Sequence, residues 1–121
     1  MTFAPTVHYL PTWAIRVHGP DGADLGYTGD TGPAAALAPF FAGVGPLVAE
    51  ATLLEPGDEP DAERGSLTAT EAGALARDAG ATILVLTHMW EERSFAAGRA
   101  RAAAVYPGRL EVARPGLTVE W

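Results

Sequence analysis

The chain has 121 residues, 48% of them hydrophobic, with 8 basic against 15 acidic side chains and a net charge of -7. That length fits one domain spanning 1–121, and the hydrophobic share excludes global disorder. The absence of Cys excludes a disulfide framework, a Cys-ligated zinc site and a thiol nucleophile. No apolar run approaches the roughly 20 residues that cross a bilayer. Residues 1–5 lack the basic region and apolar core of a signal peptide, so a soluble cytoplasmic protein without membrane contact is expected. Every basic residue is Arg, and acids gather between Glu55 and Glu63. Such a surface repels phosphate backbones and disfavours a nucleic-acid partner, unless bound cations supply positive charge.

In chain order, stretches 12–17 and 23–28 alternate Trp13, Ile15, Val17, Leu25 and Tyr27 with polar or small residues. Gly19-Pro20-Asp21-Gly22 between them is a turn signal, and the pair reads as a β-hairpin. Pro33 suits the first turn of a helix over 33–41, which Gly43 stops. The apolar run 47–52 reads as a buried strand. Residues 55–65 contain two Pro, two Gly and five acids, and predict a solvated, mobile acidic loop. Thr68-x-x-Glu71 is a capping box for a helix that runs to Ala79 and stops at Gly80. A buried strand over 82–87, a helix over 94–105 and strands at 110–113 and 117–119 follow. Alternating strands and helices point to an α/β domain with parallel pairings.

In such a sheet, functional groups gather beyond the carboxyl ends of the strands. Asp30 lies just past one strand, Glu50 closes the apolar part of the next, and His88 follows a third. Asp and His both suit zinc, manganese or iron. Each residue also has an ordinary structural reading: Asp30 as a turn or capping residue, Glu50 as a paired or solvated acid, His88 as a hydrogen-bonded structural imidazole. His18 flanks the hairpin turn and is expected to be exposed. Met89 and Trp90 are read as core packing, with a pocket wall as the alternative. Gly29-x-x-Gly32 is too short for a dinucleotide or phosphate-loop fingerprint, and no oxyanion motif accompanies Ser66 and Glu71.

The string Leu25-Gly26-Tyr27-Thr28-Gly29-Asp30-Thr31-Gly32-Pro33 resembles the segment of metallo-β-lactamase-fold hydrolases, ribonuclease Z-like branch, whose Asp bridges two metal ions. Leu47-Val48-Ala49-Glu50-Ala51-Thr52 is similar to the strand that follows it. Gly65-Ser66-Leu67-Thr68-Ala69-Thr70-Glu71-Ala72-Gly73 resembles the next loop and helix, and Leu84-Val85-Leu86-Thr87-His88 the last metal-ligand strand. The resemblance runs from His8 to the C-terminus but covers only the second half of the family's domain. It implies the C-terminal half of an αββα sandwich, with one mixed sheet and helices on its outer face. It also implies Asp30 and His88 as ligands to zinc or manganese, Glu50 as a residue ordering them, and His8 near the rim of the site.

Two departures bear on activity. The family's His-x-His-x-Asp-His motif belongs to the half not represented here, and the three His of this chain, His8, His18 and His88, form no pair with ligand spacing. Ser66 stands where the branch usually has a His that assists proton transfer, and a hydroxyl does not titrate near neutral pH. The expectation is therefore a hydrolase-like protein for phosphodiester or related ester bonds, inactive as an isolated chain, or else a non-catalytic interaction module that keeps the fold. A half-sandwich leaves Trp13, Ile15 and Val48 on an uncovered face, which predicts a homodimer or a complex with a separately encoded N-terminal half.

Overall fold

The computed structural model describes residues 1–90 and 95–121. Six strands form one mixed sheet whose spatial order is the sequence order: β1 (Thr2–Pro5), β2 (Trp13–Val17), β3 (Leu25–Tyr27), β4 (Pro46–Glu50), β5 (Ile83–Thr87) and β6 (Arg109–Val112). The first three are antiparallel, and β3 to β6 run parallel. The parallel connections carry α1 (Leu37–Phe40), α2 (Ala69–Ala79) and α3 (Phe95–Ala103). The mixed α/β sheet expected from the sequence is present, and so is the hairpin. Its turn is a short 3-10 segment, Pro20–Gly22, where Asp21 and Gly22 take left-handed φ values of 57° and 80°.

Register separates the faces. Ala14, Gly26, Leu47, Ala49, Leu84, Leu86 and Leu110 share one face by pairing and by period-two alternation. With Leu37, Phe41, Ala72, Ala76, Ala102 and Tyr106 from the helices and their ends they form the buried core. Phe3, Trp13, Ile15, Tyr27, Val48 and Val85 point the other way. On that opposite face residues 113–121 run back over β3 to β5, so that Leu117, Val119 and Trp121 share a cleft with Leu25, Val48 and Val85. The β1–β2 end stays bare, with Phe3 56% and Trp13 55% exposed.

α2 follows its sequence signals. The Thr68 hydroxyl accepts from the Glu71 amide, the Glu71 carboxylate accepts from the Thr68 amide, and Gly80 closes the helix at φ 70°. Its inner stripe is Ala69, Ala72, Gly73, Ala76 and Ala79, and at Gly73 a Cβ would stand 2.7 Å from the Ala102 carbonyl oxygen. α2 and α3 meet through that small-residue seam.

Several expectations need correction. β1 was not anticipated; four residues ending in Pro5 give almost no periodic signal. The helix expected over 33–41 is a single turn, because Ala36 at its cap has no side chain to accept a hydrogen bond and Pro39 lacks an amide hydrogen. The strand expected at 117–119 is absent, since Pro115 and Gly116, at φ 81°, turn the chain across the face instead of along the β6 edge. Residues 55–63 are exposed as expected, yet Arg64 is only 1% exposed. The loop is also tied by Arg101 to Glu55 and by the Tyr9 hydroxyl to Glu59 at 2.5 Å. Trp90 is 54% exposed rather than in the core, whereas Met89 packs against the core as read. The helix over 94–105 is seen as α3, and its expected first residue, Ser94, lies outside the described residues. No helix among the described residues is long and apolar enough to cross a membrane.

Candidate metal centre

Three adjacent parallel strands deliver three ionisable groups to the same sheet end. Beyond β3 the chain turns through Gly29, at φ 60°, into Asp30; β4 ends on Glu50; β5 is followed at once by His88. His88 holds φ 56°, a left-handed value uncommon for a residue with a side chain, and such outliers persist where the surroundings over-determine them. Asp30, Glu50 and His88 each offer a ligand atom, all within 4.8 Å of one another, and theirs is the metal-ligating cluster found among the described residues. His88 Nδ1 is 3.2 Å from Asp30 Oδ1. Asp30 and His88 are open to solvent, while Glu50 is fully buried.

Glu50 joins the two outer residues from behind. One carboxylate oxygen accepts from the Thr31 amide at 2.8 Å; the other accepts from the Thr52 hydroxyl at 2.8 Å and its amide at 3.3 Å. Burial pushes the Glu50 carboxyl above its ordinary range, and these donors oppose the push. The Glu50 amide in turn donates to the Thr28 hydroxyl. The Thr52 hydroxyl also lies 2.9 Å from the His88 carbonyl oxygen and 3.0 Å from His88 Nδ1, so its single proton is shared between Glu50 and that carbonyl while its lone pairs face the imidazole. Thr52 thus couples Glu50 to His88, while Thr31 couples Glu50 to the Asp30 turn.

His8 reaches the site from the loop after β1. Its Nδ1 donates to the Gly65 carbonyl oxygen at 2.6 Å, which leaves Nε2 facing Asp30 Oδ2 at 3.9 Å. That segment is anchored to the Asp30 turn: Thr6 donates to the Asp30 carbonyl, Val7 to the Thr31 hydroxyl and Gly32 to the Val7 carbonyl. Ser66 enters the neighbourhood through its chain neighbour Gly65, and its own carbonyl accepts from Arg64. His18 lies elsewhere, exposed at the hairpin and bonded to Asp24 at 3.0 Å. Asp30, Glu50, His88 and His8 are therefore brought together. Sequence reasoning missed Thr28, Thr31, Thr52 and Arg64; the Glu50-x-Thr52 spacing and the Thr residues flanking Asp30 were the available signals.

The donor set suits a divalent ion. An imidazole nitrogen and a carboxylate oxygen face solvent side by side, and zinc, manganese and iron all accept such ligands. Both Glu50 oxygens already accept from N–H or O–H groups, so the two solvent-facing groups left with free ligand atoms are Asp30 and His88. Two direct ligands fall one short of the three that catalytic zinc normally takes.

No protein-family model matches the chain. An uncharacterized protein of Mycobacterium tuberculosis, Rv1339, is 34% identical over 128 residues, covering 96% of this chain and 46% of that one. The ribonuclease Z of Myxococcus xanthus is 38% identical over 101 residues, covering 82% and 33%. The probable metallo-hydrolase YhfI of Bacillus subtilis is 29% identical over 121 residues, covering 99% and 48%. The crystal structure of YhfI, a metallo-β-lactamase fold protein, superposes with a TM-score of 0.88 at 28% identity over 98% of this chain and 48% of that one. The chain spans about half the length of the relatives it matches most extensively. In sequence and in fold it belongs with the metallo-β-lactamase-fold proteins of the ribonuclease Z-like branch, and it represents about half of their length.

Proposed function

We propose that the chain is one half of a metal-dependent hydrolase for phosphodiester or related ester bonds, inactive until the bare β1–β2 end of its sheet face is joined to a partner. The observation that carries this reading is the pairing of Asp30 with His88 at adjacent strand ends, 3.2 Å apart and tied together by Glu50 and Thr52. Asp30, through its carboxylate, and His88, through a ring nitrogen, would hold zinc or manganese. A divalent ion there supplies Lewis-acid activation of water and of an ester oxygen. The protein's own part is to aim the Asp30 carboxylate through the Glu50–Thr31 bond and to keep the His88 ring in place through Thr52. The partner is a second copy or a separately encoded N-terminal half that brings the remaining ligands. Glu50 shares a face with Val48, the same face as the bare apolar patch, so an occupant of that patch approaches the centre. The charge of -7 favours a small substrate over a nucleic acid, and the working compartment is the cytoplasm.

A second reading, an interaction or regulatory module without chemistry, is favoured by one observation: Ser66, the residue after the Gly65 that holds His8, has no titratable group. Calorimetric titration of zinc and of manganese into the purified chain, with Asp30→Ala and His88→Ala in parallel, separates the two. The hydrolase reading expects binding by the unsubstituted chain and about tenfold or greater weakening in each variant, with an unchanged circular dichroism spectrum. Equal affinity in all three proteins would remove Asp30 and His88 from the site. No binding by any of them would favour the module.

A further inference from the structure

The acidic loop ends on a charge that is turned inward. The Arg64 side chain is 1% exposed, and its guanidinium donates to both Glu71 carboxylate oxygens at 2.6 and 2.8 Å, to Asp61 at 2.8 Å and to the Ser66 carbonyl at 2.8 Å. Nε is buried without a partner. Taking a guanidinium out of water is expensive, and an apolar side chain of similar volume would anchor a loop end as well or better. A planar two-pronged fork does something that an apolar plug cannot. It fixes the direction of the backbone from which it springs.

That backbone touches the candidate centre at consecutive residues. The Arg64 carbonyl oxygen lies against Gly32, where a Cβ would fall directly on it, and Gly32 is two residues beyond Asp30. The Gly65 carbonyl oxygen receives His8 Nδ1 at 2.6 Å. A Cβ on Gly65 would stand 2.6 Å from the Tyr9 ring and 3.0 Å from His8 Nδ1, so a side chain there would displace the rings packed on it. The fork also closes on its own segment, through the Ser66 carbonyl. Glu71 is held in its turn by the first turn of α2, where it accepts from the Thr68 amide. A rigid helix terminus is thereby connected to the imidazole that faces Asp30.

We propose that Arg64 is a positioning residue for the centre: its grip on Glu71 and Ser66 sets the Gly65 carbonyl, which in turn sets the orientation and tautomer of His8. The inference deepens the metal-centre reading without needing metal for its test. It assigns to the loop end a role at the site, where the sequence suggested only a solvated, mobile loop.

The experiment is ¹⁵N-histidine NMR on the metal-free chain at about pH 8. The unsubstituted protein is compared with Arg64→Lys, which keeps the charge but loses the fork, and with Glu71→Gln, which keeps a capping oxygen. Gly80→Ala serves as a variant weakened at the far end of α2. The expected result is one His8 tautomer, protonated at Nδ1, in the unsubstituted protein and in Gly80→Ala. In Arg64→Lys and Glu71→Gln the two tautomers mix, and exchange of the Nδ1 proton with solvent rises about tenfold. A single Nδ1 tautomer retained in the folded variants would overturn the inference, as would mixed tautomers in the unsubstituted chain. If Arg64→Lys fails to fold, Glu71→Gln decides by the same readout. A chain that binds no zinc would overturn the hydrolase reading and leave the His8 result standing.

Discussion

Glu50 is a buried carboxylate whose hydrogen bonds reach both sides of the site. Replacing it with Ala leaves the buried Thr31 amide without its acceptor and releases Thr52, so Glu50→Ala should lose about 2–4 kcal/mol of stability in urea denaturation. Metal affinity, read by calorimetry, should fall about 10–100-fold, as for other outer-shell supports. Asp24 gives a pH signature away from the centre. Its carboxyl is held below the ordinary range by the Arg16 guanidinium at 2.7 Å and then by His18 at 3.0 Å. Because its folded pKa is depressed, the unfolded chain binds more protons on the acid side, and stability is lost as pH falls through about 4 and below. Asp24→Asn should melt at a lower temperature at neutral pH and show a flatter decline below about pH 4 in thermal scans. Asp30, Glu50 and His88 were legible because strand ends in a parallel sheet converge and their residue types are ligands. Thr52 was not, because a hydroxyl in an apolar run has no distinguishing pattern. Arg64 was hidden for the opposite reason: amid five acids it reads as one more solvated charge, and only the fold shows which charge turns inward.

At the scale of elements, local signals succeeded where they were redundant. α2 has a reciprocal cap, a small-residue stripe and a left-handed stop, and all three agree. Thr68→Ala should lower its stability by about 1 kcal/mol, measured as a shift in the urea midpoint. Gly80→Ala should lose a similar amount, about 1 kcal/mol, because alanine is strained at φ 70°. α1 had only Pro33 and a run of Ala to recommend it, and without a capping side chain it shrank to one turn. The apolar positions at 117–119 looked like a strand, and their hydrophobicity is used, although for covering Val48 and Val85 rather than for pairing. Periodicity identifies that a segment is buried; what buries it depends on the turn that precedes it, here Pro115-Gly116.

For the molecule as a whole, the tail protects one end of the sheet face and leaves the other uncovered. Phe3 and Trp13 lie together there, with Tyr27 also exposed. An apolar patch of this kind associates or aggregates. Sedimentation velocity should show weight-average size rising with concentration for the unsubstituted chain, and a concentration-independent monomer for Phe3→Ser/Trp13→Ser. The half-sandwich was legible from motif order; the sheathing of β3 to β5 by residues 113–121 was not, since it depends on contacts far apart in sequence. The sheet order carries one more consequence. Strands laid side by side in the order in which they are synthesised let each new strand dock on the one before it, with no later strand to be inserted between two earlier ones. His8, Asp30 and Glu50 all precede the fifth strand in the chain, and His88 is the last component to be delivered. A metal ion that needs both Asp30 and His88 enters a structure that is already largely assembled. Zinc should slow unfolding while leaving the early refolding phase unchanged: it would act as a lock on the finished sheet, not as its nucleus.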